Sequence, residues 1–341
     1  MPFTKDNILS KGTTGELVSQ ECLSALYDGV LRSAELVKAA EKRVRCELLS
    51  ESFERLQYTG KAARVRDCGT RLAFAHIHIE QRMVLYHANF CRERLCPMCV
   101  MRRSNQIFAQ VSQVMDAVEE ESPDLTPVFL TLTLRNCRAE DLEVTLDTVF
   151  EGWHRLINNK RMKRLVRGWF RALEVTYNER SGMYHPHIHI IMLMPPSYFK
   201  EPKDYMTTEK WVRAWHRALR LDYDPICDIR AVDTKENGGL GVVAEVAKYT
   251  VKDVDYLKDD TILTDKLVAI FSMALKGRRL YAFGGLLKEV KKRLKIEDDD
   301  MYRPGEIRDK NGVVLRKDVD YVVVRFNWNI GLSIYEYGGL G

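Results

Sequence analysis

The chain has 341 residues, 45% of them apolar and 30% charged, with a formal net charge of +5. Those proportions belong to ordinary globular proteins with room for one large domain or a few small ones, and they exclude a fibrous or disordered chain. No apolar run approaches the roughly 20 residues that span a bilayer, and residues 1–9 lack the charged-then-apolar layout of a signal peptide, so a cytoplasmic protein is expected.

In chain order, residues 16–58 show apolar positions at three- and four-residue steps without proline, which predicts one or two helices. Residues 68–99 read as small strands and turns holding Cys68, Cys91, Cys96 and Cys99, and an amphipathic helix is expected from Arg102 to Glu121. The segment Pro127-Val-Phe-Leu-Thr-Leu-Thr-Leu134 is strand-like, with branched and aromatic residues alternating with threonine. A long helical region over 139–166 follows. Strands over 169–177 and 187–193 are then joined by Asn178-Glu-Arg-Ser-Gly182, a hairpin turn by composition. A helix over 208–221, a strand over 226–232 and a helix over 242–257 complete a β-α-β-β-α-β order plus a final helix. That order predicts an α+β fold: a central antiparallel sheet of split βαβ type, with helices on one face and a small zinc-binding segment beside it. Two helical stretches are expected beyond residue 261, then a hairpin pairing 313–316 with 321–328. The expected division is a helical region over 1–66, a four-cysteine segment over 67–104, a catalytic domain over 105–287 and an extension over 288–341.

Three motifs carry chemistry. In His185-Pro-His187-Ile-His189, histidines two apart on a strand point to one face, so His187 and His189 can serve one metal ion. If the hairpin closes symmetrically between Arg180 and Ser181, Glu174 stands opposite His187 on that face and completes a two-histidine, one-carboxylate set. Such a set leaves positions open for substrate oxygen and suits manganese or magnesium in nuclease use, without excluding zinc. His185 has the same parity and is a candidate supporting group. His-x-His pairs are common, and His76-Ile-His78 is a second one here.

In Glu245-Val-Ala-Lys-Tyr249, positions four apart on a helix place carboxylate and phenol side by side. A tyrosine can attack a phosphodiester whose phosphate is polarised, and the glutamate can activate water for a second step. Tyr256, seven residues beyond Tyr249, is the rival nucleophile. Third, Cys91-Arg-Glu-Arg-Leu-Cys96-Pro-Met-Cys99 with Cys68 supplies four thiolates for tetrahedral zinc, with His76, His78 or His87 as alternative fourth ligands. Arg102 and Arg103 place positive charge nearby. Basic clusters at 160–167 and 288–295 are either solvated helix faces or phosphate-tracking surfaces.

Together the Cys68-Gly69 and Cys91-to-Cys99 segment, Phe129-Leu-Thr-Leu-Thr133, the histidine motif and Glu245-x-x-x-Tyr249 resemble the replication initiators of rolling-circle plasmids, the single-tyrosine type of the HUH endonuclease superfamily. Gly277-Arg-Arg279 with Gly284-Gly285 is similar to that family's downstream stretch. The resemblance runs from about Cys68 to Leu287. It implies that His187 and His189 hold a divalent metal, and that Tyr249 forms a 5′-phosphotyrosine link and frees a 3′-hydroxyl primer. It further implies that Glu245 directs the water of termination, and that Thr131 and Thr133 support the site. Lys248 and Lys252 would help neutralise the phosphate. The partners implied are single-stranded DNA and the plasmid origin, a host DNA polymerase, and a host helicase, since no GxxxxGK[ST] loop is present. No membrane partner is expected, and a homo-oligomer is compatible with the sequence. The competing readings are an HUH relaxase or transposase, a non-enzymatic zinc-ribbon DNA-binding regulator, and a hydrolase with a water nucleophile.

Overall fold

A computed structural model of the chain describes residues 34–77, 82–231, 252–296 and 321–340. The strands are β1 (Arg71–Ile77), β2 (Arg82–Ala88), β3 (Thr126–Thr133), β4 (Gly168–Asn178), β5 (Met183–Met194), β6 (Cys227–Ala231), β7 (Tyr281–Gly284), β8 (Tyr321–Asn329) and β9 (Ile334–Leu340). The helices of the first half are α1 (Ala34–Arg55), α2 (Thr59–Asp67), α3 (Pro97–Glu121), α4 (Leu142–Ile157) and α5 (Lys160–Leu165). Those of the second are α6 (Pro196–Lys200), α7 (Thr208–Leu219), α8 (Asp253–Tyr256), α9 (Thr261–Ala274) and α10 (Gly285–Arg293). The chain divides into two units, residues 1–101 with 299–341, and residues 102–298.

The first unit sets α1 and α2 together beside a sheet of order β2-β1-β8-β9. Of the expected hairpin between 313–316 and 321–328, residues 313–316 lie outside the described residues, and β8 pairs with β1 along 321–327 and with β9 along 324–329. The C-terminal strands are tied to α1 and to the cysteine region by polar bonds: Trp328 Nε1 donates to Glu47 Oε1 at 2.8 Å, and the Tyr335 hydroxyl donates to the Gly69 carbonyl.

The second unit is built on a five-stranded sheet of order β6-β3-β5-β4-β7, antiparallel at every step. The expected helix over 139–166 is two helices, because the Asn159 side chain caps α5 by accepting from the Arg161 N–H at 2.9 Å. Helices cover both faces of this sheet, where the sequence led to one. On one face Trp153 of α4 meets Trp169 edge-on, and Arg171 lies over Phe150. On the other, Ile107, Val111, Val114 and Val118 of α3 and Leu287 and Val290 of α10 pack against Phe129, Phe170, Ile191 and Leu193. By strand parity, His187 and His189 share that second face with Ile191 and Leu193. One strand face is therefore core at one end and polar site at the other. Among the described residues, no helix is long and apolar enough to cross a membrane.

The join from β7 to α10 presses backbone against backbone. At Gly285, with φ +54°, a Cβ would stand 2.4 Å from the Arg167 carbonyl oxygen, and at Gly168 one would stand 2.8 Å from the Leu287 nitrogen. Gly182 in the hairpin turn also has positive φ, +66°, but faces open space. Gly285→Ala should therefore cost about 2–4 kcal/mol in urea unfolding, whereas Gly182→Ala should cost only about 1 kcal/mol.

Candidate metal centre

The β4–β5 hairpin assembles the site. Glu174 pairs with His187 in the register and Ala172 with His189, while β3 places Thr133 opposite His187 and Thr131 opposite His189. Glu174 Oε2 lies 3.3 Å from His187 Nε2 and 3.0 Å from His189 Nε2. Its other oxygen meets Lys252 Nζ at 3.2 Å. Glu174, His187 and His189 are 6%, 9% and 8% exposed, so this is a nearly dry carboxylate. Burial pushes the Glu174 carboxyl up, but hydrogen bonds from the two imidazoles and the charges of His187 and Lys252 outweigh it, and the group is held well below the ordinary carboxylate range.

The hydrogen bonds behind the ligands decide what the site accepts. His187 Nδ1 faces the His185 carbonyl at 3.2 Å, and a carbonyl only accepts, so Nδ1 carries the proton. In the neutral ring the Nε2 lone pair then points at a carboxylate oxygen, and two acceptors confront each other. A second proton or a metal cation between them resolves the conflict. The ligand atoms of Glu174, His187 and His189 all lie within 4.8 Å of one another, which fits a single ion bound at about 2.0–2.2 Å from each. Thr131 Oγ1 sits 3.1 Å from His189 Nδ1, and the Phe129 ring stacks on His189 at 5.6 Å. Thr133 instead donates to the Ile226 carbonyl at 3.1 Å. His185 reaches outward to Asn136 Oδ1 at 2.7 Å. Burial, and then the His187 charge, push its imidazole below the ordinary histidine range.

Lys252 is brought to the site by a turn rather than by the helix expected over 242–257. Its backbone is extended (φ −78°, ψ 146°) and it caps α8, so no continuous helix runs through it. Asp255 fixes the turn by accepting from the Lys252 N–H at 3.1 Å and the Tyr177 N–H at 3.3 Å. Tyr256 therefore does not continue a helix face that would carry Tyr249. It is fully buried, its ring 6.3 Å from Phe271.

A second cluster lies in the first unit, where Cys68, Cys91, Cys96 and Cys99 gather within 4.8 Å. Neighbouring sulfurs are 3.4 Å apart for Cys68–Cys96, 3.6 Å for Cys68–Cys99 and 3.7 Å for Cys91–Cys99. The edge of a tetrahedron with metal–sulfur bonds of about 2.3 Å is about 3.8 Å, so the spacing fits. Backbone N–H groups of Cys91 and Glu93 point at the Cys68 and Cys91 sulfurs, as they do at thiolates. The hydrogen bond to Cys91, with burial, pushes the Cys68 thiol up, and burial above all does so for Cys96. Hydrogen bonds from Cys68, Cys91 and Cys96 pull the Cys99 thiol down. A divalent metal would stabilise the thiolate form of such a cluster.

A family model described as "Replication protein" matches residues 82–335. The chain is 36% identical over 280 residues to "Protein rep" of Bacillus amyloliquefaciens, covering 75% of this chain and 82% of that one. It is 31% identical over 281 residues to "Protein rep" of Lactiplantibacillus plantarum, covering 81% and 88%. It is 35% identical over 252 residues to that of Streptococcus pneumoniae, covering 73% and 77%. The chain belongs to the Rep family of replication proteins. This is the family of plasmid initiators that its motifs resemble. No solved structure matches the chain.

The structure of this Rep protein thus brings Glu174, His187, His189 and Lys252 together, and separately the four cysteines. Glu245, Lys248 and Tyr249 lie outside the described residues. Arg102 and Arg103 are half-buried in the first turns of α3. His87 stands in β2 opposite Ala73, outside the thiol cluster; His76 pairs in β1 opposite Met83, and His78 is outside the described residues. Sequence reading missed Cys46, whose sulfur is 3.5 Å from that of Cys96. Elemental analysis should find one equivalent of metal that Cys99→Ser loses, with a fall in Tm of roughly 10 °C. Cys46→Ala should keep it.

Proposed function

We propose that this Rep protein starts rolling-circle replication of a plasmid as a single-tyrosine HUH endonuclease, nicking one strand of the origin. The observation that carries the reading is the convergence of Glu174 Oε2 with both imidazole Nε2 atoms on one sheet face. We assign catalysis to residues 105–287. Glu174, His187 and His189 would hold manganese or magnesium, which when bound supplies Lewis-acid polarisation of the scissile phosphate.

The chain's own residues do the rest. The Tyr249 phenol oxygen bonds to phosphorus as the bond from phosphorus to the 3′-oxygen breaks; the phenol gives up its proton and the freed 3′-hydroxyl takes one up. A phosphoester is exchanged for a phosphoester, so no nucleotide need be hydrolysed, and the 3′-end primes a host polymerase. Glu245 directs the attack of water that ends the cycle. Lys252, 3.2 Å from Glu174 Oε1, brings a positive charge to the same pocket, and Lys248 adds to it. Arg102 and Arg103 contribute further contacts to DNA. The four cysteines hold structural zinc. Strand separation falls to a host helicase.

Incubation of the full chain with a labelled single-stranded oligonucleotide carrying the nick site, plus manganese, should give a covalent adduct on a denaturing gel. Tyr249→Phe should abolish it, and His187→Ala with His189→Ala should reduce it at least about 100-fold. Chelation should remove activity and manganese restore it. Cleavage without an adduct would replace the tyrosine mechanism with attack by water.

A further inference from the structure

Helix α7 has two unlike sides. Trp211, Trp215, Ala218 and Leu219 are buried, and Trp215 Nε1 donates to the Thr133 carbonyl at 2.9 Å. Lys210, Arg213, Arg217 and the C-cap Arg220 follow at steps of three, four and three, so they form a stripe along the other side. With Arg155 of α4 and Arg161 of α5 they line a groove of about 590 Å³ in which no carboxylate takes part.

Arg155 is paired with Glu151, and Arg213 and Arg161 act at longer range on Glu209 and Asp204, but the remaining cations of the groove have no carboxylate partner among the described residues. Arg155 donates to the Ala218 carbonyl at 2.6 Å and to Glu151 at 3.0 Å. Arg161 donates to the Lys203 and Asp204 carbonyls at 2.8 and 3.3 Å, while the Asp204 carboxylate is taken by Arg164. Among the described residues, no carboxylate lies within ion-pair distance of Arg161, Lys210, Arg213, Arg217 or Arg220. Like charges gathered along one side of a helix, in a groove lined by no carboxylate, fit a polyanion. The stripe from Lys210 to Arg220 is about 15 Å long at 1.5 Å per residue, far longer than one phosphate and matched to about four nucleotides of one DNA strand.

We propose that this groove binds the phosphate backbone of double-stranded DNA beside the nick site. Away from the nick site a plasmid origin is double-stranded, so a groove set apart from the metal centre meets duplex rather than the cleaved strand. Helix α4, which forms one wall, packs on the sheet face opposite the one that carries Glu174, His187 and His189, so DNA in the groove is a different segment from DNA at the metal centre. The pairing of the two segments rests on the nicking function proposed above; the groove's affinity for duplex does not.

The test is fluorescence anisotropy of the full chain with a 30-base-pair duplex over a range of salt, for the wild type and for Lys210→Ala/Arg213→Ala/Arg217→Ala. Each lost phosphate contact removes about 0.9 from the slope of log Kobs against log salt. The triple variant should therefore show a slope shallower by about 2–3 and an affinity lower by at least about tenfold. Its nicking of a short single-stranded oligonucleotide should stay within twofold of wild type, and Arg213→Lys/Arg217→Lys should keep the wild-type slope. An unchanged slope in the triple variant overturns the proposal, as does a slope lost in the lysine variant, which would indicate damage to α7. Pyrophosphate binding that the triple variant loses while duplex binding persists would assign the groove to a small anion and also overturn it. A wild type that binds duplex with the expected slope but never nicks would instead defeat the nicking reading and leave the groove standing.

Discussion

A buried carboxylate between two imidazoles and a lysine is the constraint around which the larger unit is organised. Glu174 can be ionised in a nearly dry position only because cationic and hydrogen-bonding groups converge on it from β5 and from the turn before α8. Each of those groups is placed by something else. The β4–β5 register sets the imidazoles, β3 supplies Thr131 and Phe129 behind His189, and Asp255 clamps the Lys252 turn to β4. A slip of one residue between β4 and β5 would turn both histidines into the opposite core and leave the carboxylate alone. The apolar half of the same strand face opposes that slip, since Ile191 and Leu193 would leave the packing against α3 and α10.

Much of this was legible in the sequence because period-two patterns and turn composition are local signals. The parity of His187 and His189 and the centre of the Asn178-to-Gly182 turn were enough to set Glu174 opposite His187, as the register has it. The cysteine knuckle was legible for the same reason. What was missed depends on distant parts of the chain. Cys46 approaches Cys96 across 50 residues, from a helix with no motif of its own. Strand β7 has only four residues, and β9 contains Gly338 and Gly339, so neither shows a strand pattern. The second helical layer escaped because α3 precedes the βαββαβ unit and α10 follows it, whereas the pattern speaks only for the helices inside it. Lys252 seemed one more position on a helix; its extended backbone, set by Asp255, is what turns it toward Glu174.

The two clusters solve opposite electrostatic problems with the same kind of partner. Among the thiols, burial resists the charge that metal binding needs, so a cation and the folded cysteine segment stabilise each other. At Glu174 the charge is already held by protein groups, so a cation there would compete with Lys252. Removing metal should accordingly be felt as lost stability in the first unit and as a redistribution of hydrogen bonds in the second.

The carboxylate and the imidazoles that meet it are separated by only 13 and 15 residues along the chain. Hairpins of this span close in about 1–10 μs, long before a sheet that must bring β3, β6 and β7 together over far greater separations. The ligand set is therefore a contact of low order in a unit of otherwise high contact order. The grouping of Glu174, His187 and His189 thus needs only the β4–β5 hairpin, and none of the later pairing of β6 and β7.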